Sequence, residues 1–199
     1  MRVVGIDFGA KMAGTTAICF SENGKLSFIS AKKGVDADSF ILHSLKTLRP
    51  TVVGIDAPLS LPKAYQTGCS SKDFMYRLAD RELSAMSPMF LGGLTARAMA
   101  IAAELRATEV TVVEVYPRAA IRLLTDSETS YLTLKRSRLA NGVAALVENL
   151  RARGLLALPS AIPANSHELD SLLAFVSADR YSRHEARTFG DQSEGVIHV

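Results

Sequence analysis

The chain opens with three short apolar runs, at 2–8, 15–20 and 25–31, each of strand length. The second and third are joined by SENGK, whose Asn23-Gly24 pair is a strong hairpin signal. At 39–48 the period changes: Phe40, Ile41, Leu45 and Leu48 recur at helical spacing, and Pro50 ends the run. The opening order is therefore three strands and a helix. The pentapeptide VVGID then occurs twice, at Val3–Asp7 and Val52–Asp56. A continuous apolar run of this kind predicts a strand buried on both faces of a parallel sheet. A companion strand is predicted at 109–116 (EVTVVEVY), rich in β-branched residues and stopped by Pro117. Between these two lies an insertion, 58–107, with a Gly/Ser/Pro-rich loop and helices predicted at 72–85 and 94–106. A helix is predicted over 134–153, followed by the proline-punctuated LPSAIPANS. The last helix, 166–181, begins with Asn165 and Glu168 in capping-box spacing and carries the apolar stripe Leu169, Leu172, Leu173 and Val176.

This order predicts an α/β fold of one domain, 1–199: a mixed five-stranded sheet flanked by helices, with a helical insertion after the fourth strand. It is the element order of the RNase H-like fold. A length of 199 residues suits one core, and 48% hydrophobic with 22% charged residues excludes a disordered or fibrous chain. No apolar run approaches the roughly 20 residues that span a bilayer, and Asp7 comes too early for a signal peptide, so a cytoplasmic protein without a membrane partner is expected. Only Cys19 and Cys69 are present, with no CxxC, so neither a disulfide nor a zinc site is expected and any metal must have oxygen ligands. The net charge of +3 neither demands nor excludes nucleic acid.

In open α/β sheets the functional crevice lies beyond the carboxyl ends of the strands, where Asp7 and Asp56 are placed. If their strands are parallel neighbours in the same register, the two carboxylates share one rim, about 5 Å apart at the backbone. Like charges so close repel unless a cation intervenes. Glu114, two residues before Tyr116-Pro117, and Asp170, in the first two turns of the last helix, are candidates for the same crevice. Four such acids suit Mg²⁺ or Mn²⁺, and two such ions about 4 Å apart can activate water and stabilise the leaving oxygen of a phosphodiester. Plainer roles exist for each: strand-ending aspartates form turns, Glu114 can pair with an arginine such as Arg97 or Arg118, and Asp170 can serve the helix dipole. GAKMAGTT has the glycine spacing of a phosphate-binding loop, but Thr15 stands where its lysine is required.

In order along the chain, GIDFG, GIDAPLSLP, RLADRE, LTAR, EVYPRAA, HELDSLLAF and a late EG resemble the motif series of a large prokaryotic family, domain-of-unknown-function family 429. Its members are described as predicted nucleases with an RNase H-like fold. The resemblance implies an acidic metal centre like that of RNase H and Holliday-junction resolvases at Asp7, Asp56 and Asp170, with Glu114 a further family position. Substrate-binding candidates come from the insertion: Arg77, Asp80 and Arg81 as one polar helical stripe resembling the family's RxxDRE element, with Thr95 and Arg97 of LTAR nearby. The alternative is a solvated face with an internal salt bridge. Lys135 and Arg136 read as surface charges, and Met86, Met89, Met99 and Phe90 as packing under the inserted helices. The four histidines show no ligand spacing, although His167 stands beside a candidate acid. Trp is absent and aromatics are 7% of residues, so no aromatic platform for a nucleic-acid strand is expected.

Three functional readings follow. The first is a metal-dependent nuclease or phosphodiesterase, a hydrolase acting on DNA or RNA. The second is a nucleotide-binding protein related to actin-like ATPases, since DFGAKMAGTT fits their strand-turn-threonine outline; with one such domain in the chain it requires a homodimer or a non-catalytic nucleotide sensor. The third is a non-catalytic binding protein on the same fold.

Overall fold

The computed structural model describes residues 2–126, 131–133 and 140–199. Its main sheet has five strands: β1 (Val3–Asp7), β2 (Ala17–Glu22), β3 (Lys25–Ser30), β4 (Val52–Asp56) and β5 (Thr111–Glu114). They lie in the order β3-β2-β1-β4-β5, with β1, β2 and β3 antiparallel and β1, β4 and β5 parallel. This mixed sheet, with helices on both faces, is the RNase H-like α/β arrangement. The β2–β3 turn is made at Asn23 and Gly24, both at positive φ (50° and 72°), the conformation that a two-residue hairpin needs.

Alternation along β1 and β4 divides the core in two. Val4, Ile6, Val53 and Ile55 pack against α1 (Ala37–Leu48) and α4 (Gly93–Arg106) through Ile41, Leu45, Ala98, Ile101 and Leu105. Val3 and Val52, on the opposite face, join Leu169, Leu172, Leu173 and Val176 of the final helix, α7 (Ser166–Ser182). The middle letter of the repeated pentapeptide explains how close that helix comes. A Cβ added at Gly5 would stand 2.6 Å from Phe175 Cα and nearer still to Phe175 N and Ser171 O. At Gly54 it would stand 2.8 Å from Ala174 O and 2.9 Å from Ala178 Cβ. Gly5 pairs with Gly54 in register, so the two bare backbones form a shallow groove that seats α7. Asp7 and Asp56 follow two residues later on the same face.

Between β4 and β5 the insertion holds a single 3₁₀ turn (Lys63–Tyr65), α2 (Leu78–Leu83), α3 (Pro88–Leu91) and α4. The helix predicted over 72–85 is reduced to α2. Asp73 Oδ1 accepts from the backbone N–H of Met75 and Tyr76, each at 3.0 Å, and holds that stretch in a turn; Ser84, at φ 54°, ends the helix. Besides the 3₁₀ turn and α3, a helix and a small sheet were not expected from the sequence. Pro117 stops β5 but also opens α5 (Pro117–Leu124), where its fixed φ and missing N–H suit the first helical position. The C-terminal stretch forms a two-stranded sheet, β6 (Thr188–Asp191) and β7 (Gly195–His198), packed on Ala79 and Leu83 of α2 through Ile197. The helix α6 (Ala140–Ala152) matches the latter part of the helix predicted over 134–153; 134–139, with Lys135 and Arg136, lie outside the described residues. No helix is long and apolar enough to cross a membrane among the described residues.

Candidate metal centre

Asp7 and Asp56 end two parallel strands and are register partners, so strand geometry alone brings them to one rim. The third acid depends on where α7 begins. Asn165 Oδ1 caps the helix, accepting from His167 N at 2.9 Å and Glu168 N at 3.0 Å. Glu168 reaches back to the N–H of Ala164 at 2.7 Å, one residue beyond the reciprocal contact of a capping box. With this start, and with Gly5 and Gly54 admitting the helix, Asp170 points at the two strand ends. One carboxylate oxygen from each of Asp7, Asp56 and Asp170 lies within 4.8 Å of the others. Asp170 is 2% exposed and Asp7 9%, while Asp56 is half-buried.

Among the described residues, Tyr131 and His167 help to orient this cluster. Tyr131 donates its hydroxyl to Asp170 Oδ1 at 2.6 Å. Burial, and then the adjacent Asp170 carboxylate, push the phenol well above its ordinary range, so it remains a donor. His167, one helical turn before Asp170, places Nδ1 2.7 Å from Asp7 Oδ2. The donor set, three carboxylates with hard oxygens drawn together at the mouth of a sheet, fits a divalent cation of the Mg²⁺ or Mn²⁺ kind.

Glu114 does not join the three. It is the register partner of Ile55, so its side chain leaves the opposite face of the sheet from Asp56. There it meets Arg77 in a two-pronged pair, Nη2 to Oε1 at 2.6 Å and Nη1 to Oε2 at 2.7 Å, and Oε2 also accepts from Leu59 N at 2.7 Å. Burial raises the Glu114 carboxyl, and Arg77 opposes that rise. The arginine partner is thus neither Arg97 nor Arg118.

The insertion's candidates are also dispersed. Arg77 is 0% exposed and precedes α2 rather than lying on its solvent face; besides Glu114 it binds Asp80 at 2.6 and 3.1 Å and Ser60 Oγ at 2.8 Å. Thr95 is buried and donates to Pro88 O at 2.8 Å. Neither can touch a substrate from such a position. Arg97 bridges α4 to Asp38 at 2.6 Å and to Gly9 O at 3.1 Å, with its guanidinium over the Phe8 ring. Only Arg81 keeps a mostly exposed side chain, paired with Asp73. Tyr131 carried no signal in the sequence, because nothing local links it to a residue 39 positions away. His167 had one, its helical offset from Asp170.

No protein-family model and no curated protein matches the chain. Among solved structures it is similar to RuvC of Thermus thermophilus, over 92% of this chain and 96% of that one, with 16% identity and a TM-score of 0.45. The strand order and directions described above are those of the RNase H-like fold.

Proposed function

We propose that the chain is a metal-dependent phosphodiesterase of the nuclease type. The observation that carries this reading is the convergence of Asp7, Asp56 and Asp170 oxygens within 4.8 Å at the carboxyl end of an RNase H-like sheet. These three carboxylates would hold Mg²⁺ or Mn²⁺, which supplies Lewis acidity toward a phosphodiester and lowers the pKa of water for attack. The protein's own contribution is position. Tyr131 fixes the Asp170 rotamer and His167 fixes that of Asp7. Glu114, in its pair with Arg77, holds Leu59 and thereby the chain leaving Asp56. In this reading Glu114 and Arg77 are positioning residues rather than ligand and substrate contact, Arg97 braces the turn after Asp7, and Arg81 is the exposed cation of the insertion. The partner is nucleic acid, DNA or RNA.

The actin-like reading requires free backbone amides in the turn after β1 to cradle phosphate. Two of them are occupied: Gly9 N donates to Thr16 Oγ1 and Ala10 N to Thr15 Oγ1, both at 3.1 Å. The threonines close the turn on itself.

The test is calorimetric titration of Mn²⁺ into metal-free protein and into the Asp7→Asn plus Asp56→Asn double variant, with folding checked by circular dichroism. Binding to the wild type and its loss in the variant is expected, followed by Mn²⁺-dependent cleavage of DNA or RNA by the wild type alone. Equal binding by both proteins would overturn the reading.

A further inference from the structure

Beside the acid cluster is a cavity of about 160 Å³ lined by Asp56, Tyr116, Pro117, Arg118, Tyr131 and Leu132. Two of its walls belong to the metal centre, since Asp56 is one of the three acids and Tyr131 is bonded to another, Asp170. Arg118 is the cation among these lining residues. It stands in the first turn of α5 directly after Pro117, whose ring fixes the backbone there. The Arg118 side chain is half-buried and lies close to the Tyr116 hydroxyl, so its reach is restricted before any ligand arrives. Ligand pockets for drug-sized molecules run to roughly 300–1,000 Å³, so this cavity has room for one phosphate and part of its sugar and not for a stacked base pair. Its charge also suits an anion. A phosphodiester approaching three aspartates is repelled, and a guanidinium at the cavity wall supplies the opposing charge with the fork geometry that phosphate oxygens match.

We infer that this cavity is a phosphate subsite, in which Arg118 holds the non-bridging oxygens of a single nucleic-acid strand next to Asp56. The inference rests on the phosphodiesterase reading and deepens it by naming the substrate form: an unpaired strand or frayed end, read through its backbone. Tyr116 is a positioning residue that steadies Arg118, and Leu132 is the apolar wall against the sugar.

The experiment measures fluorescence anisotropy of a short single-stranded DNA, and of the RNA of the same sequence, with wild type, Arg118→Ala, Arg118→Lys and Tyr116→Phe. Ca²⁺ replaces Mn²⁺ because it takes the same oxygen ligands. Mn²⁺ titrations of each variant run in parallel. Arg118→Ala is expected to weaken strand binding at least about tenfold and to lower the slope of log affinity against log salt by about one, with Mn²⁺ binding unchanged. Arg118→Lys is expected to restore little, because a point charge does not replace the fork. Duplex of the same sequence is expected to bind more weakly than the single strand. Wild-type strand affinity in folded Arg118→Ala and Arg118→Lys, with Mn²⁺ binding intact, would overturn the subsite and leave the metal centre standing. Failure of the wild type to bind Mn²⁺ while strand binding still depends on Arg118 would do the reverse. No binding of either strand by metal-loaded wild type would also overturn the subsite.

Discussion

Arg77 carries a charge into a place with no solvent, and it is tolerated there because Glu114 and Asp80 surround it with carboxylate oxygens. Removing the cation leaves both acids buried without their partner. Arg77→Ala is expected to lower the unfolding free energy by about 3–5 kcal/mol, the usual range for breaking a buried pair. Arg81→Ala, whose partner Asp73 is at the surface, should change it little, because solvent screens the pair. Urea denaturation of the two variants measures the contrast. In the sequence these arginines are equivalent, four residues apart on one predicted helical stripe, and only the three-dimensional fold separates them. Asp7 and Asp56 were legible because a repeated pentapeptide implies a repeated register. Of the two readings of Glu114, metal ligand or arginine partner, the structure shows the second, with Arg77 as the partner: with Val113 opposite Gly54, parity sends Glu114 to the far face. That parity becomes usable only once the register of β5 is known.

At the scale of elements, the strands of the main sheet and α7 were readable because their apolar periods are long and unbroken. Tertiary constraints hid the rest. The helix predicted over 72–85 loses its first turns to the Asp73 turn, and in β6 and β7 (TFGD and GVIH) glycine and polar residues interrupt the apolar pattern. Two aspartates hold these irregular parts in place. Asp73 lies at about 2, lowered first by the amide of Tyr76 and then by Arg81 and the amide of Met75. Asp191 also lies at about 2, through the amide and hydroxyl of Ser193 and through Lys63. A carboxyl depressed on folding stabilises the fold above its unfolded value near 4, and that contribution is lost as pH falls toward 2. Acid should therefore loosen the insertion and the C-terminal hairpin before the main sheet. Pepsin digestion between pH 4 and 2 is expected to cut first within 63–78 and 188–195, and earlier in Asp73→Asn.

Across the whole molecule, the rim of the sheet is built from distant parts of the chain. Glu194, in the turn between β6 and β7, accepts from Lys63 N at 2.9 Å and Leu78 N at 2.6 Å, closing the insertion loop at both ends. Lys63 answers with Asp191 at 3.1 Å, and Gly195 leaves room for Ser60. On the other face α7 delivers the third acid. In the proposed reading a cation offsets the repulsion among the three carboxylates, so metal binding and folding would be thermodynamically linked. At a Mn²⁺ concentration one hundredfold above its dissociation constant, the wild type is expected to gain about 2.7 kcal/mol in unfolding free energy. Without metal, the Asp7→Asn plus Asp56→Asn variant is expected to melt above the wild type, and added Mn²⁺ should leave its melting temperature unmoved. Thermal melts with and without Mn²⁺ and a chelator test both points.

The groove made by Gly5 and Gly54 also has a meaning for how this chain tolerates change. Val4 and Val53 face an aliphatic layer that can repack around isoleucine, whereas a single methyl at Gly5 meets the backbone of α7, which has nowhere to move. In a library of variants sorted only for soluble, folded protein, Gly5 should stay fixed, with Gly54 slightly more permissive, while Asp7 and Asp56 should drift freely to asparagine. Sorting the same library for activity should fix the aspartates as well. The pentapeptide would then separate into letters retained for folding and letters retained for chemistry.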